Sequence, residues 1–180
     1  MRAGEYHEYG LVFMLATGYY IAMNTEVEYQ ACIPFSAISL GIRCSDKALL
    51  GIDFLPHDAP AIAPTNAYAR HICQILNDYL QQPSQALDVT LIAQGTSFQK
   101  RVWQEIRRIP LGHTITYGEL AKRIHSGPRA VANACGANRI PLIIPCHRVV
   151  ASNGIGGFMQ GKRTNALHIK RWLLAHEGAL

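Results

Sequence analysis

Acidic and basic side chains are segregated along this chain, and that segregation limits how it can be built. Residues 1–92 carry four Lys/Arg against nine Asp/Glu, a balance of −5. Residues 93–180 carry thirteen against three, a balance of +10, so the net charge of +5 conceals two stretches of opposite character. A basic stretch of that kind meets a polyanion, most simply nucleic acid, or else presents a solvated basic surface. With 49% hydrophobic and 16% charged residues the chain is globular rather than disordered, and 180 residues suffice for one large domain or two small ones.

The spacing of apolar residues places the elements. Residues 1–28 read as an N-terminal extension with no assigned role. The apolar stretch at 11–22 is too short to span a bilayer and lacks the basic start of a signal peptide, so no membrane association is expected. Residues 35–42 and 49–55 predict two strands of a β-hairpin joined by a polar turn at Ser45-Asp46-Lys47. After a proline-rich loop, Ala69, Ile72, Cys73, Leu76 and Leu80 recur at helical spacing, predicting a helix over 66–80. A short strand at 89–92 completes an α/β domain over 29–92. The remainder, 93–180, opens as helices. Phe98, Val102, Ile106 and Ile109 share one face of the first, Lys100, Arg101, Arg107 and Arg108 lie elsewhere, and Thr96 or Ser97 can cap it. Thr116-Tyr-Gly-Glu119 is a capping-box pattern opening a short helix through Leu120 and Ile124. Pro128 suits the first position of the next helix, which runs through Arg129 to about Ala137 and consists mostly of small residues. Two short helices joined by a glycine-containing turn make a helix-turn-helix. The lean second helix fits either close approach to DNA or packing against another helix.

Five scattered cysteines (Cys32, Cys44, Cys73, Cys135, Cys146) with no CxxC pair argue against a disulfide framework and a structural zinc site. No metal is expected, and a reducing cytoplasm fits best. Ile144-Pro-Cys-His-Arg-Val-Val150 concentrates the chemistry. A thiol between an imidazole and a guanidinium is a candidate low-pKa nucleophile, and a buried structural cysteine is the competing reading. In this stretch only Arg148 reads as seeking bulk water. Asn138 falls where the lean helix ends, and asparagine tolerates the left-handed backbone of a helix stop. Adjacent side chains rarely face each other, so His147 would reach the thiol through a water. His147 needs a carboxylate to fix its tautomer. Glu105 lies on the basic helix and Glu119 in the capping box, which leaves Glu177, with a solvated C-terminal glutamate as the alternative.

Gly95-Thr-Ser-Phe98, Val102-Trp103, Thr116-Tyr117, Arg129-Ala-Val131, Asn138, Ile144 to Val150 and Trp172-Leu-Leu-Ala-His-Glu-Gly178 together resemble a known family. They are similar to the O6-alkylguanine-DNA alkyltransferases, the methylated-DNA–protein-cysteine methyltransferases of direct DNA repair. The resemblance covers about 29–178, is strongest from Gly95, and lacks the zinc module of the bifunctional adaptive-response regulators. It implies a ribonuclease-H-like α/β N-terminal domain and a mainly α, winged-helix-like C-terminal domain with the helix-turn-helix. It implies that Cys146 accepts the alkyl group in an irreversible single turnover, after the damaged nucleotide flips out of the stack. His147, backed by Glu177, would remove the thiol proton, Asn138 would shape the pocket, and Tyr117 would hydrogen-bond the base. Arg129 would fill the gap in the duplex, with Ala130, Ala134, Cys135, Gly136 and Thr116 also on the DNA-binding face and the lean helix in the minor groove. Val149, Phe158 and Met159 would line the base pocket. The implied partner is double-stranded DNA carrying O6-alkylguanine or O4-alkylthymine, bound by a cytoplasmic monomer without cofactor. One departure concerns Phe158, where many relatives carry tyrosine, so any loop contact to guanine O6 falls to backbone N–H groups such as that of Met159.

Overall fold

The computed structural model describes residues 28–83, 87–159 and 166–180, so the extension expected over 1–28 lies almost wholly outside the described residues. A three-stranded antiparallel sheet of order β1-β2-β3 opens the fold, with β1 at Ala31–Phe35, β2 at Ile38–Cys44 and β3 at Leu49–Leu55. The strand expected over 35–42 is thus cut by a tight turn. Phe35 pairs with Ile38, and between them Ser36 takes a left-handed φ of 55°. Strand β1 is not among the elements expected from the sequence, and it contains Pro34. An edge strand tolerates a residue without an N–H, and β1 is such an edge, bridged on its outer side between Cys32 and Ile62.

Helix α1, Ala67–Gln81, lies against this sheet. Asn66 caps it by accepting the Ala69 N–H at 2.7 Å, and Ala69, Ile72, Cys73, Leu76 and Tyr79 turn inward. Each large apolar side chain buried this way contributes about 1.5–3 kcal/mol. The strand expected at 89–92 reduces to one parallel bridge between Leu49 and Leu91. The physical reason is competition for the edge of β3. Farther along, the Ile52 N–H donates instead to the Arg139 carbonyl at 2.9 Å, and Ile92 is left 51% exposed.

The second half is built from α2 (Ser97–Arg107), β4 (Ile115–Thr116), α3 (Tyr117–Arg123), α4 (Pro128–Gly136), β5 (Val149–Val150) and α5 (Ala166–His176). Thr96 with Gln99, and Thr116 with Glu119, form the capping boxes of α2 and α3. Residues 124–127 turn the chain from α3 into α4, with His125 at φ 53°. The Trp103 indole donates to the Ala134 carbonyl at 2.8 Å and fastens α2 to α4. Strands β4 and β5 pair in parallel, which brings Tyr117 and the segment after Cys146 together. Helix α5, which the sequence reading left unassigned, packs under that segment. Buried residues from both halves, from Phe35 and Leu76 to Ile106 and Leu173, form one continuous core. No helix among the described residues is long and apolar enough to cross a membrane.

Candidate active site

Cys146 is aimed by its neighbours in sequence. Pro145 adopts φ −78°, ψ 64°, and the Cys146 N–H donates to the Ile144 carbonyl at 2.7 Å, an inverse γ-turn that proline's fixed φ favours. A single 3-10 turn follows over Cys146–Arg148. Asn138 ties the turn down. Its Nδ2 donates to the Ile144 carbonyl at 2.8 Å and to Cys146 Sγ at 3.3 Å, while its Oδ1 accepts from the Ile140 N–H at 2.9 Å. The expectation of a left-handed helix stop at Asn138 is corrected. Ala137 caps α4 in the right-handed region, and the left-handed residue of this stretch is Leu142, φ 73°.

The thiol is not lowered in pKa as the sequence suggested. Cys146 is 6% exposed, and burial raises its pKa above the ordinary value; the hydrogen bond from Asn138 and the charge of Lys170 oppose that rise. The resting group is therefore a thiol. Arg148 does not point at it, and it is mostly withdrawn from bulk water, with its side chain 11% exposed. Its Nε and Nη2 make a bidentate pair with Glu177 at 2.8 Å each, and its Nη1 donates to the Ile109 carbonyl at 2.6 Å. The cation that acts on the thiol is Lys170, which the sequence reading missed. Lys170 is 0% exposed, donates to the carbonyls of Val149 (2.7 Å) and Gly157 (2.9 Å), and lies 5.8 Å from the Tyr117 ring centroid. Burial pulls its pKa down to about 8. Its position on the inward face of α5, between Ile169 and Leu173, was the available signal.

His147 turns away from Cys146 toward Glu177, whose side chain is fully buried. Nε2 of His147 lies 3.0 Å from Glu177 Oε1, an ion-pair distance, yet neither ring nitrogen makes an aligned hydrogen bond with a protein atom. Burial lowers the His147 pKa below 6.5, against the pull of Glu177 in the other direction, so the imidazole rests neutral. Burial alone would raise the Glu177 pKa, but His147 and Arg148 outweigh it and hold the carboxyl at about 2. A neutral imidazole with a free ring nitrogen, next to a fixed carboxylate, can accept a proton and be stabilised once charged.

Cys146 opens on two cavities. One, of about 360 Å³, is walled by Tyr117, Cys135, Gly157, Phe158 and Met159. The other, of about 620 Å³, runs past Asn138 and Arg139 toward Arg43 and Asp53 of the sheet. Phe158 is buried, with its ring 6.0 Å from that of Phe54. Met159 takes a left-handed φ of 51°; position 156 requires glycine both for its φ of 70° and because a Cβ there would meet Ala151 N and the Tyr117 ring at 3.0 Å. The Tyr117 hydroxyl donates to the Gly157 carbonyl at 3.2 Å, and burial raises its pKa. Val149 does not line the small cavity as expected, because its side chain is buried and its carbonyl is taken by Lys170.

Residues 97–179 match the family model described as 6-O-methylguanine DNA methyltransferase, DNA binding domain. A methylated-DNA–protein-cysteine methyltransferase of Metallosphaera sedula is 33% identical over 147 residues, covering 82% of this chain and 90% of that one. The enzyme of the same name from Methanosarcina mazei is 39% identical over 140 residues, covering 73% and 85%. The chain belongs to the methylated-DNA–protein-cysteine methyltransferase family. Its fold agrees with the crystal structure of the Mycobacterium tuberculosis O6-methylguanine methyltransferase, with a TM-score of 0.69, 30% identity and coverage of 82% and 91%. The structure of that organism's protein in complex with DNA matches equally, at TM-score 0.69 and 31% identity.

In this methyltransferase the residues expected to meet DNA divide. Arg129 is exposed, and Ala130, Gly136 and Thr116 are partly so. Ala134 is a correction. It faces inward, its carbonyl held by Trp103, because the lean side of α4 serves the contact with α2. Cys135 is also buried, but it walls both cavities beside Cys146. Among the described residues no group of three His, Cys, Asp or Glu stands close enough to hold a metal ion.

Proposed function

We propose that this methyltransferase clears alkyl groups from O6 of guanine in duplex DNA by moving each one to Cys146, once per protein molecule. The observation that carries the reading is the placement of Cys146. Its sulfur is held by Asn138 at the mouth of a cavity of about 360 Å³, one residue from a neutral imidazole backed by a buried carboxylate. The base is rotated out of the stack, since an O6-alkyl carbon inside the duplex is closed to in-line attack. His147 takes the thiol proton through a water, and Glu177 stabilises the imidazolium. The sulfur forms a bond to the alkyl carbon as the carbon–O6 bond breaks. The electron pair leaves with the guanine, which regains a proton on its ring with help from the Tyr117 hydroxyl. The product thioether has no easy route back to thiolate, so the protein is spent. O4-alkylthymine presents the same alkyl–oxygen bond and is a second substrate.

Binding follows from the basic second half. Arg129, at the start of α4, fills the place of the flipped nucleotide, and the partly exposed small residues Ala130 and Gly136 of α4 enter the minor groove, where bulk is excluded. The domain division at about residue 92 is part of the same reading. A ribonuclease-H-like fold for the first half is supported by the antiparallel sheet with α1, and a winged-helix-like second half by α3 and α4 beside the β4–β5 pair. Monomeric action in the cytoplasm suits a protein consumed by its reaction, with all five cysteines free and buried. The test uses a duplex carrying one labelled O6-methylguanine. Label is expected to pass to the wild-type protein and not to Cys146→Ala. Label on the Cys146→Ala protein, or free methanol as the product, contradicts the proposal.

A further inference from the structure

Glu177 belongs to the second half of the chain, but one of its partners does not. Tyr79, near the end of α1, donates its hydroxyl proton to Glu177 Oε1 at 2.8 Å across 98 residues of sequence. The ring is fixed for that purpose by stacking on Phe35 (centroids 6.3 Å apart) and by the edge contact with His176 (5.3 Å). Oε1 also accepts from Arg148 Nη2 at 2.8 Å. A carboxylate oxygen offers two lone-pair directions, so these two donors fill it. His147 Nε2, 3.0 Å from the same atom, is left beside it without an aligned bond.

We propose that Tyr79 is a positioning residue for the proton acceptor: its hydroxyl occupies Glu177 Oε1 and so limits how strongly the carboxylate draws on His147. The first half of the chain thereby sets the basicity of a group in the second. This rests on His147 being the proton acceptor. The charged and titratable groups around the pair are Arg148 and Tyr79 on Glu177, and Lys170 and Cys146 near His147, with His176 behind Tyr79. In Tyr79→Phe the ring packing survives and one lone pair of Oε1 becomes free for His147, which then holds a proton more tightly.

The experiment compares wild-type and Tyr79→Phe full-length protein in two ways. One is the pH dependence of the single-turnover rate of methyl transfer, and the other is the titration of the His147 imidazole followed by 15N NMR. The acid limb of the rate profile and the NMR midpoint should both move up by roughly one pH unit, the size of one charge-assisted hydrogen bond. The plateau at high pH should be kept. A fluorinated tyrosine introduced at position 79, a stronger donor of nearly the same shape, should move both the other way, and it serves if the phenylalanine variant is unstable. An unmoved NMR midpoint overturns the proposal, whatever happens to the rate. A wild-type rate profile that does not follow the His147 titration overturns His147 as acceptor instead, and the NMR midpoint still decides Tyr79.

Discussion

Replacing Asn138 by alanine should damage stability and chemistry through different atoms of one side chain. Oδ1 satisfies the N–H of Ile140, a residue 1% exposed, and no other protein acceptor of that N–H is present among the described contacts. Leaving a buried N–H unpaired costs about 1–3 kcal/mol. Nδ2 serves the Ile144 carbonyl, which keeps its bond from the Cys146 N–H and therefore loses less, about 0.5–1.5 kcal/mol. The cavity beside Asn138 lets water replace part of this, so a loss of about 2–3 kcal/mol in urea unfolding is expected. The third bond, to Cys146 Sγ, acts on the reaction. It strengthens as the sulfur becomes a thiolate, and its removal should slow single-turnover methyl transfer about 10–100-fold. Asn138→Asp separates the two effects, since it keeps the acceptor for Ile140 but puts a carboxylate beside the sulfur. It should recover the part of the stability due to the Ile140 N–H, but not the part due to the Ile144 carbonyl, which a carboxylate cannot serve, while remaining slow. An alanine variant within 0.5 kcal/mol (an estimate of the scatter of neutral substitutions) and of wild-type rate would refute the reasoning.

Lys170→Met keeps the length of the side chain but removes its charge and both carbonyl contacts. The Cys146 pKa should rise and alkylation by iodoacetamide at neutral pH should slow about tenfold, one pK unit of lost coupling. A rate unchanged from wild type would remove Lys170 from the account. Acid should destabilise the protein in two stages. His147, whose folded pKa lies below 6.5, disfavours the fold as pH falls through its unfolded value. Glu177, held at about 2 against an ordinary 4.5, contributes stability that is present above pH 4.5 and is lost as pH falls toward 2. Urea midpoints measured across this range should show Glu177→Gln lacking the lower stage. Arg129→Ala should weaken binding to duplexes with and without the lesion and reduce the slope of affinity against salt by about one ion. An unchanged slope would take Arg129 off the DNA-contacting surface.

What could be read from the sequence was local. Thr116 caps α3 as the Thr116–Glu119 pattern predicts, and of Thr96 and Ser97 it is Thr96 that caps α2, because a cap needs only residues three positions apart. The pairing of His147 with Glu177 was reached by elimination, since the basic half holds only three acidic residues. The misreadings have a common cause in contacts distant along the chain. Strand β1 pairs with β2 through a turn that the continuous run 35–42 does not reveal, and Arg139 takes the edge of β3 beyond the single bridge that residues 89–92 make. Arg148 looked solvated because nothing near it in sequence is acidic, whereas its partner Glu177 is 29 residues away. Lys170 broke the apolar pattern of α5, and only the fold supplies the two carbonyls that justify burying it. Tyr79 is not among the residues that helical spacing puts on the inward face of α1, and its partner lies at the far end of the chain.

The central claim is that one sulfur atom takes one alkyl group and stops. Intact-mass spectrometry of the protein after incubation with excess duplex containing O6-methylguanine tests it most directly. The account predicts that every molecule gains a single methyl in place of a hydrogen, that the gain maps to the peptide holding Cys146, and that repaired guanine appears in a one-to-one ratio with protein. Repaired guanine in molar excess over protein, or the methyl on another residue such as Cys135, would contradict it.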